Sequence, residues 1–288
     1  MGNKQLLSKG VTTCTGCAME LIARSMVEVL GKRTVVTTPP SCSAILTGFE
    51  KSTGWAIPSQ QTVLMSIGAY ISGISEALKI NGEEDSNVVG FAGDGGTFDI
   101  GLQAISGAIE RNHNFLMVCY NNEAYMNTGN QRSSATTLGA WTKTTPTGKK
   151  EASKNIDFMF LHQNLAYQAT ASVGDIKDLK RKFKRASEIK GPKFIHIQTP
   201  CTAGWKFPAN QTINVAKKAI DSGMWLLWER EGSKVKVNRK PKDYSLIKEY
   251  LASQKRFSNI TPEMCEEITK AAKKNYEFIK LMEENEYL

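Results

Sequence analysis

The segment from Val88 to Asn122, VVGFAGDGGTFDIGLQAISGAIERNHNFLMVCYNN, decides the fold. A short apolar run, Val88 to Ala92, ends in a glycine-rich turn, and apolar residues then recur at helical spacing to about Arg111. A second apolar run, Phe115 to Tyr120, ends at a pair of asparagines. Short uninterrupted apolar runs are typical of buried parallel strands, so the segment predicts a strand–helix–strand unit.

The same alternation extends in both directions from that unit. Two helices and a strand are predicted before it, and two strands and a helix after it. This order predicts an α/β fold, a doubly wound parallel sheet with helices on both faces. These further elements are the helices 18–30, 67–80 and 176–189 and the strands 34–38, 166–173 and 194–198.

The pattern changes beyond about residue 232. Residues 234–240 alternate like an edge strand, and Thr261-Pro-Glu opens a final helix with a hydroxyl cap, a proline at the first position and an early acid. We therefore divide the chain into a core domain, residues 1–231, and a C-terminal extension, residues 232–288, expected to dock on the core or on a partner subunit. The polar segment 141–155 predicts a mobile surface loop.

The composition argues against several classes of protein. The 288 residues carry a formal net charge of +9, and the basic run from Lys177 to Arg185 is interpreted as a solvated helix face because no nucleic-acid-binding motif accompanies it. No apolar run approaches the ~20 residues of a membrane span, and the first residues lack the apolar stretch of a secretory signal. We expect a cytoplasmic protein that binds neither nucleic acid nor membrane.

Polar groups follow two consecutive predicted strands of the quoted segment. Asp94 and Asn122 supply carboxylate and amide oxygens, the ligands that Mg²⁺ prefers when it also binds phosphate. Gly93, Gly95 and Gly96 allow backbone N–H groups to approach an anion at the start of the helix. Taken singly, each stretch is explained as well by a tight turn without a ligand. Together they predict a diphosphate site with its metal ion.

Four of the six cysteines lie in predicted loops. Cys14 and Cys17 form a C-x-x-C turn before the first helix, and Cys42 and Cys201 follow predicted strands. A C-x-x-C pair alone also suits zinc or a redox dithiol, but the second close pair usual for structural zinc is absent from the sequence. Four thiolates are the ligand set of a [4Fe–4S] cluster. The other two cysteines lie in apolar elements and are expected to pack there: Cys119 and Cys265.

The combination of these motifs resembles a known family. Gly-Asp-Gly followed by Asn-Asn resembles the signature of thiamine-diphosphate enzymes. With CTGC at 14–17, YNNEAYMNTGNQRS at 120–133, QATASV at 168–173 and PCTAGW at 200–205, the chain resembles the β subunit of pyruvate:ferredoxin oxidoreductases of the separate-subunit kind. The resemblance runs from about residue 10 to 228, and YMNTG is similar to the pyruvate branch rather than the 2-oxoglutarate branch.

This resemblance implies thiamine diphosphate, Mg²⁺ and a [4Fe–4S] cluster as cofactors. The carbonyl of Ala124 would join Asp94 and Asn122 on the metal ion, and Tyr125 would join the cofactor-binding set. Substrate contact is implied for Asn127 and, less directly, Thr128, with a hydrogen-bonded turn as the alternative. The implied cofactor-binding residues are Gly93, Asp94, Gly95, Gly96, Asn122, Ala124 and Tyr125, and the implied cluster ligands are Cys14, Cys17, Cys42 and Cys201.

The resemblance also implies an activity and partners. A 2-oxoacid, pyruvate above all, would be decarboxylated, its electrons passing singly through the cluster to ferredoxin and its acyl group to coenzyme A. The glutamate that activates the cofactor would come from another polypeptide, so α-, γ- or δ-type subunits are expected. Two alternatives stay open: another 2-oxoacid as substrate, or a non-catalytic iron–sulfur subunit with a vestigial GDG turn. The three histidines have no metal-ligand spacing and are interpreted as surface or hydrogen-bonded core residues: His113, His162 and His196.

Overall fold

An eight-stranded sheet forms the centre of the computed structural model, which describes residues 5–48 and 52–285. The strands in chain order are β1 (Thr34–Thr38), β2 (Ser59–Gln61), β3 (Asn87–Gly93), β4 (Leu116–Asn121), β5 (Tyr167–Ser172), β6 (Lys193–Gln198), β7 (Leu227–Glu231) and β8 (Lys234–Arg239). Their spatial order is β2-β1-β3-β4-β6-β5-β7-β8. The first six in this order pair in parallel, whereas β7 and β8 are antiparallel. The predicted α/β class with a mainly parallel sheet is therefore confirmed.

Helices cover both faces of the sheet. They are α1 (Ala18–Leu30), α2 (Ala44–Thr47), α3 (Ile67–Ile80), α4 (Leu102–Glu110), α5 (Ile156–Leu161), α6 (Ile176–Glu188), α7 (Thr202–Trp205), α8 (Thr212–Asp221), α9 (Ile247–Ala252) and α10 (Pro262–Asn285). On one face α1 packs beside α6, and on the other α3 packs beside α4. No helix within the described ranges is long and apolar enough to cross a bilayer.

The central strands are apolar on both sides because both sides are covered. Along β3, Val89 and Phe91 face the core under α1 and α6, whereas Val88 faces the core under α3 and α4. Along β4, Val118 belongs to the first core and Met117 to the second. Successive strand residues point to opposite faces, so a strand buried on both faces has no polar alternation. This explains why continuous apolar runs located these strands in the sequence.

Two strands escaped prediction for different reasons. β2 has only three residues, all polar and partly exposed, so it lacks an apolar signal. β7 carries charged residues that are nevertheless buried: Glu229 accepts a hydrogen bond of 2.7 Å from the Tyr167 hydroxyl, and Arg230 donates to the Leu161 carbonyl at 3.1 Å. Buried charges that are paired in this way give a strand a polar sequence.

The basic face of α6 is only partly solvated, which corrects the interpretation of residues 177–185. Lys182 lies on the buried side, where Nζ donates to the Thr170 carbonyl at 2.7 Å and contacts Asp178 at 2.5 Å. Burial lowers the pKa of Lys182 despite the carboxylate beside it. Asp175 caps the helix by accepting from the Asp178 N–H at 3.1 Å, so this helix begins where a capping residue and an early acid place it.

The C-terminal part completes the sheet and covers its end. β7 and β8 form a hairpin, and the predicted division after Glu231 falls at its turn; α10 packs against β8. The segment 141–155 is a succession of turns, but it is not wholly at the surface as expected. Lys149 is 1% exposed, and its Nζ donates to the carbonyls of Ser134 and Thr136 at 3.1 and 2.6 Å.

Candidate active site

Four loops from neighbouring strands meet at the carboxyl edge of the sheet. Cys42, Asp94, Asn122 and Cys201 lie just after β1, β3, β4 and β6, and these four strands are consecutive in the sheet. Parallel strands end at the same edge, where α/β sheets bind their ligands. The chain therefore brings a carboxylate, an amide and two thiols to one side of the molecule.

The turn after β3 is wider than an ordinary helix start. The sequence predicted a helix directly after the glycines, but residues Gly95–Asp99 form one π-helical turn before α4 begins. The Ile100 N–H donates to the Gly95 carbonyl at 3.2 Å, and the Thr97 hydroxyl donates to the Gly93 carbonyl at 2.9 Å. Single π-turns occur frequently at functional sites.

Asp94 is a fully buried carboxylate at the start of this turn. Its Oδ1 accepts from the Asn122 backbone N–H at 3.2 Å, and its Oδ2 accepts from the Ser133 hydroxyl at 2.5 Å. Burial raises the pKa of Asp94 to about 7, and the nearby Glu123 carboxylate adds to the rise. A buried carboxylate with so few donors favours a proton or a cation beside it.

The side chain of Asn122 lies between Asp94 and Ala124. One of its two amide positions is 3.1 Å from Asp94 Oδ1 and 2.8 Å from the Ala124 carbonyl oxygen. If Nδ2 takes that position, the amide donates to both; turned by 180°, Oδ1 takes it and three oxygens converge. Neighbouring ligands of an octahedral ion with bonds of about 2.0–2.1 Å lie about 2.9 Å apart. The donor set and spacing thus fit Mg²⁺.

Tyr125 closes one side of the turn by packing on Gly95. Its hydroxyl donates to the Gly95 carbonyl at 3.3 Å, and a Cβ added to Gly95 would lie 2.4 Å from the tyrosine ring. Gly95 is therefore needed for this contact whatever ligand binds. Gly93 and Gly96 have more room, since an added Cβ would meet its nearest atom at 3.2 and 3.5 Å.

Asn127 and Thr128 lie in an exposed turn. The Thr128 hydroxyl donates to Gln131 Oε1 at 2.7 Å and to the Tyr125 carbonyl at 3.3 Å, and the Gly129 N–H donates to the Met126 carbonyl. These bonds describe a hydrogen-bonded turn, the alternative that the sequence leaves open for these residues. Their contact with a substrate remains a prediction.

The four candidate cluster cysteines form one electrostatic group. Burial raises the pKa of Cys42 to about 12, and the thiols of Cys201, Cys17 and Cys14 contribute, followed by Asp94. Burial likewise raises the pKa of Cys17 to about 11, with Cys201 and Cys14 contributing. Cys14 is exposed and the other three are partly buried. The four thiols therefore influence one another electrostatically, and Asp94 adds to the effect at Cys42.

The sulfur of Cys201 lies at the N-terminus of a short helix. It is the N-terminal cap of α7, and the Gly204 N–H donates to Sγ at 3.3 Å. Burial raises the pKa of this thiol, whereas the Gly204 N–H and the Arg256 cation oppose the rise. N–H donors and a nearby cation stabilise thiolate sulfur, so this position suits a metal-bound cysteine. Among residues 5–48 and 52–285, no three His, Cys, Asp or Glu side chains lie close enough to hold a single metal ion.

The structure also brings three residues to this site that sequence reasoning missed. Ser133 contacts Asp94, Trp205 donates its indole N–H to the Asn122 carbonyl at 2.8 Å, and Arg256 pairs with Glu123 at 2.8 Å. Ser133 and Trp205 stand within the quoted motifs, which was the only signal for them. Arg256 comes from the C-terminal part, and nothing around it in the sequence indicated a role.

A separate cavity of about 370 Å³ adjoins Asn121, and its lining does not include Asp94, Asn122 or the cysteines. One wall contains His196, whose Nε2 lies 2.9 Å from Asn121 Nδ2 and whose Nδ1 lies 2.9 Å from Asp157 Oδ2. Phe98 and Trp225 pack edge-on against the imidazole. His196, which has no metal-ligand spacing in the sequence, is a core histidine whose partners come from other elements.

Comparison with known proteins agrees with this geometry. The family model of the thiamine pyrophosphate enzyme C-terminal TPP binding domain matches residues 36–197, which include Asp94 and Asn122. Pyruvate synthase subunit PorB of Methanothermobacter thermautotrophicus is 41% identical over 90% of this chain and 92% of its own. Ketoisovalerate oxidoreductase subunit VorB of Pyrococcus abyssi is 41% identical over 96% and 92%.

A solved structure shares the fold. The 2-oxoglutarate:ferredoxin oxidoreductase from Magnetococcus marinus superposes with a TM-score of 0.62 over 75% of this chain and 80% of that chain, at 22% identity. The family match and the PorB relatives, with the paired loops after β3 and β4, decide the assignment. The chain belongs to the thiamine-pyrophosphate-dependent 2-oxoacid:ferredoxin oxidoreductase family, as a β subunit.

Proposed function

We propose that this chain holds thiamine diphosphate through Mg²⁺ and forms one half of the active site of a pyruvate:ferredoxin oxidoreductase. The observation that supports this most directly is that one amide position of Asn122 lies 3.1 Å from Asp94 Oδ1 and 2.8 Å from the Ala124 carbonyl oxygen, beside a glycine-rich turn at the carboxyl edge of the sheet. A vestigial turn has no need of a fully buried carboxylate, because burial of a charge without a partner is costly.

The chain's own residues would bind and orient the cofactor. Asp94 and the side chain of Asn122 would hold Mg²⁺ together with the Ala124 carbonyl, while the N–H groups of the turn formed by Gly93, Gly95 and Gly96 would bind the diphosphate. Ser133 keeps one Asp94 oxygen occupied, which turns the other toward Asn122. When bound, thiamine diphosphate supplies the electron sink that lets a 2-oxoacid lose carbon dioxide.

The four thiols of Cys14, Cys17, Cys42 and Cys201 are proposed to bind a [4Fe–4S] cluster. Their mutual electrostatic influence and the N–H donor to Cys201 support this. Cys42 and Asp94 follow β1 and β3, neighbouring strands that end at the same edge of the sheet, which suits the transfer of single electrons from the cofactor toward ferredoxin. All six cysteines are described by the structure as free thiols, so the four proposed ligands are available to iron.

Pyruvate is the proposed substrate, with coenzyme A as acyl acceptor; the acid loses carbon dioxide, and two electrons leave it one at a time. A branched 2-oxoacid is the second candidate, because the VorB relative is as similar as the PorB relative at 41% identity. The two candidate substrates differ in the side chain of the 2-oxoacid. We propose that this part of the substrate approaches the exposed turn of Asn127 and Thr128, where either residue would contact it.

Other subunits are needed to complete this site. No residue is assigned here as the activating glutamate, and Asn127 and Thr128 are exposed in the isolated chain. We infer that α-, γ- or δ-type subunits cover this face and that residues 232–288 form an extension that docks on the core or on one of them. PorB and VorB are themselves named as subunits.

An assay of the native complex tests the function. The complex, purified without oxygen, is assayed for reduction of ferredoxin or viologen with coenzyme A and a panel of pyruvate, 2-oxoisovalerate and 2-oxoglutarate. Pyruvate should give the highest kcat/KM, and the complex should contain thiamine diphosphate, Mg²⁺ and about four irons per chain at this site. A preference for 2-oxoisovalerate would select the second candidate, and zinc in place of iron would refute the cluster.

A further inference from the structure

Trp205 connects the two predicted cofactor sites. It lies at the end of α7, whose first turn begins at Cys201, and its backbone N–H donates to the Cys201 carbonyl at 2.9 Å. Because α7 is a single short turn, the indole cannot move far without moving the cysteine. The ring is fully buried, so its position is set by packing rather than by solvent.

The polar end of this ring is bonded to the metal loop. Trp205 Nε1 donates to the backbone carbonyl of Asn122 at 2.8 Å. That carbonyl belongs to the peptide between Asn122 and Glu123. The bond therefore fixes the orientation of this peptide, which leads the chain to Ala124. The two predicted Mg²⁺ ligands on this loop, the Asn122 amide and the Ala124 carbonyl, lie on either side of that peptide.

Arg256 also holds this loop, and it packs on a face of the Trp205 indole. Its guanidinium lies 3.7 Å from the centre of the Trp205 ring, and Nη1 donates to Glu123 Oε2 at 2.8 Å. Glu123 has a φ of 63°, a left-handed conformation that side-chain-bearing residues seldom adopt, and its own N–H donates to Asn121 Oδ1 at 2.9 Å. A backbone in such a conformation persists only where its surroundings hold it.

We propose that Trp205 is a positioning residue that couples the two cofactor sites, holding the Asn122–Ala124 loop in register with Cys201. The inference rests on the proposed function, because it assigns a role toward cofactors that the function requires. Coupling is reciprocal: if binding of Mg²⁺ and thiamine diphosphate changes the reduction potential of the cluster, reduction of the cluster changes the affinity for the cofactor by the same factor.

The test compares two buried tryptophans. Trp205→Phe removes the donor to Asn122 and keeps an aromatic ring under Arg256, whereas Trp55→Phe removes an indole N–H that has no hydrogen-bond partner among the described residues. Both rings are at most 4% exposed, so each change makes a comparable gap in a core. The complex carrying each variant is stripped of Mg²⁺ and cofactor with a chelator under anaerobic conditions.

Two quantities are then measured without turnover. The first is the affinity for thiamine diphosphate at fixed Mg²⁺, by calorimetry. The second is the midpoint potential of the cluster with and without the cofactor, followed by electron paramagnetic resonance. For the unmodified complex we expect cofactor binding to move this potential, in either direction, by about 40–60 mV, which corresponds to a fivefold to tenfold coupling for a one-electron couple.

Trp205→Phe should weaken cofactor binding about fivefold to tenfold and reduce the potential shift to less than about 20 mV, a coupling of about twofold. Trp55→Phe should match the unmodified complex in both. Equal behaviour of the two variants, or no shift of potential in the unmodified complex, would overturn the coupling role. Failure of the unmodified complex to bind thiamine diphosphate at all would instead refute the proposed function itself.

Discussion

Arg256 and Glu123 form a buried ion pair, 2.8 Å between Nη1 and Oε2, on the loop that carries the predicted metal ligands. The arginine is 3% exposed and the glutamate 9% at its side chain, so both charges are shielded from water. The Thr137 hydroxyl also donates to Glu123 Oε2, at 2.7 Å, and Arg256 Nε donates to Gln254 Oε1 at 2.9 Å. The pair therefore links residue 123 to the C-terminal part of the chain.

We expect either half of this pair to be costly to remove alone. Glu123→Gln leaves the guanidinium without a counter-charge, and Arg256→Gln does the same for the carboxylate, so each should lower the free energy of unfolding by about 3–5 kcal/mol. The double variant should lose less than the sum, because no charge is left unpaired. Chemical unfolding of the three variants measures the coupling.

An exposed pair gives the control. Lys270 and Glu266 form an i,i+4 ion pair on α10 at 2.8 Å, with side chains 74% and 67% exposed. Replacing either by glutamine should leave the unfolding midpoint unchanged within error, because solvent screens such pairs. Additive effects in the Arg256 and Glu123 cycle would contradict the role given to the buried pair.

Asp94→Asn should separate stability from cofactor binding. The amide fills the same space without the cost of a buried charge, so above pH 7 the cofactor-free chain should melt at the same or a higher temperature. Binding of thiamine diphosphate with Mg²⁺ should weaken at least about a hundredfold, because a neutral amide replaces the only carboxylate among the predicted ligands. Calorimetric titration and a melting curve on the same sample measure both.

Asp99→Asn is the matched control for that change. Asp99 stands at the end of the same π-turn, where its carboxylate accepts from the Ser134 N–H at 3.2 Å and lies 3.5 Å from Lys154 Nζ. Its replacement removes one negative charge from the turn but no predicted ligand, so cofactor affinity should change less than about threefold. Equal losses from both variants would assign the effect to net charge rather than to metal ligation.

Much of the fold was readable from the sequence because the central strands are covered on both faces. The continuous apolar runs around Phe91 and Val118 mark such strands, and helix α3 begins and ends where its periodicity predicts, at Ile67 and Ile80. The hairpin strand β7 was not readable, because its buried Arg230 is hydrogen-bonded to carbonyl groups that only the folded chain supplies.

The same contrast holds in the candidate site. Asp94 and Asn122 could be paired from the sequence because parallel strands end at one edge of the sheet, a rule of topology rather than of local pattern. Trp205 and Arg256 could not be placed, since tertiary packing brings them to the Asn122 carbonyl and the Glu123 carboxylate across 83 and 133 residues of chain. The π-turn after Asp94 was also missed, because its residues are compatible with an ordinary helix.

Mg²⁺ binding should depend on pH through Asp94. The pKa of this carboxyl is raised from 3.8 to about 7 in the cofactor-free chain, so below pH 7 the metal ion must displace a proton. The affinity should rise about tenfold per pH unit up to about 7 and then level off. Titrations in two buffers of different ionisation enthalpy count the released protons, and Asp94→Asn should release none.

The stability of the cofactor-free chain should change in the opposite direction. The pKa of Asp94 is higher in the folded chain than in the unfolded chain, so between these two pKa values the folded chain binds more protons. The contribution of Asp94 to the free energy of unfolding therefore falls as pH rises from 3.8 to about 7. The difference between unmodified chain and Asp94→Asn isolates this contribution. A constant difference across that range would show that Asp94 ionises without penalty.

Gly95→Ala should damage the turn by steric contact alone. The added Cβ would lie 2.4 Å from Cε1 and 2.7 Å from two other atoms of the Tyr125 ring, so the ring or the turn must move. We expect a loss of about 1–3 kcal/mol in stability and weaker cofactor binding. Gly73→Ala on α3 is the control: its Cβ meets nothing within 4 Å, and alanine should stabilise the helix by about 0.5–1 kcal/mol.

Serine at a cluster-binding position should remove iron, whereas a change in a packing cysteine should not. Cys42→Ser and Cys201→Ser each delete one of four proposed thiolate ligands, so we expect the native complex to lose most of its chelatable iron and its reduced-state paramagnetic signal.

Cys119→Ala is the control, because Cys119 is fully buried within β4 and its thiol packs in the core under α3 and α4. That variant should keep its iron and lose about 1–2 kcal/mol of stability as a small cavity forms. Iron analysis and spectroscopy on anaerobically purified complexes measure the difference, and full iron occupancy in Cys42→Ser would sink the four-cysteine assignment.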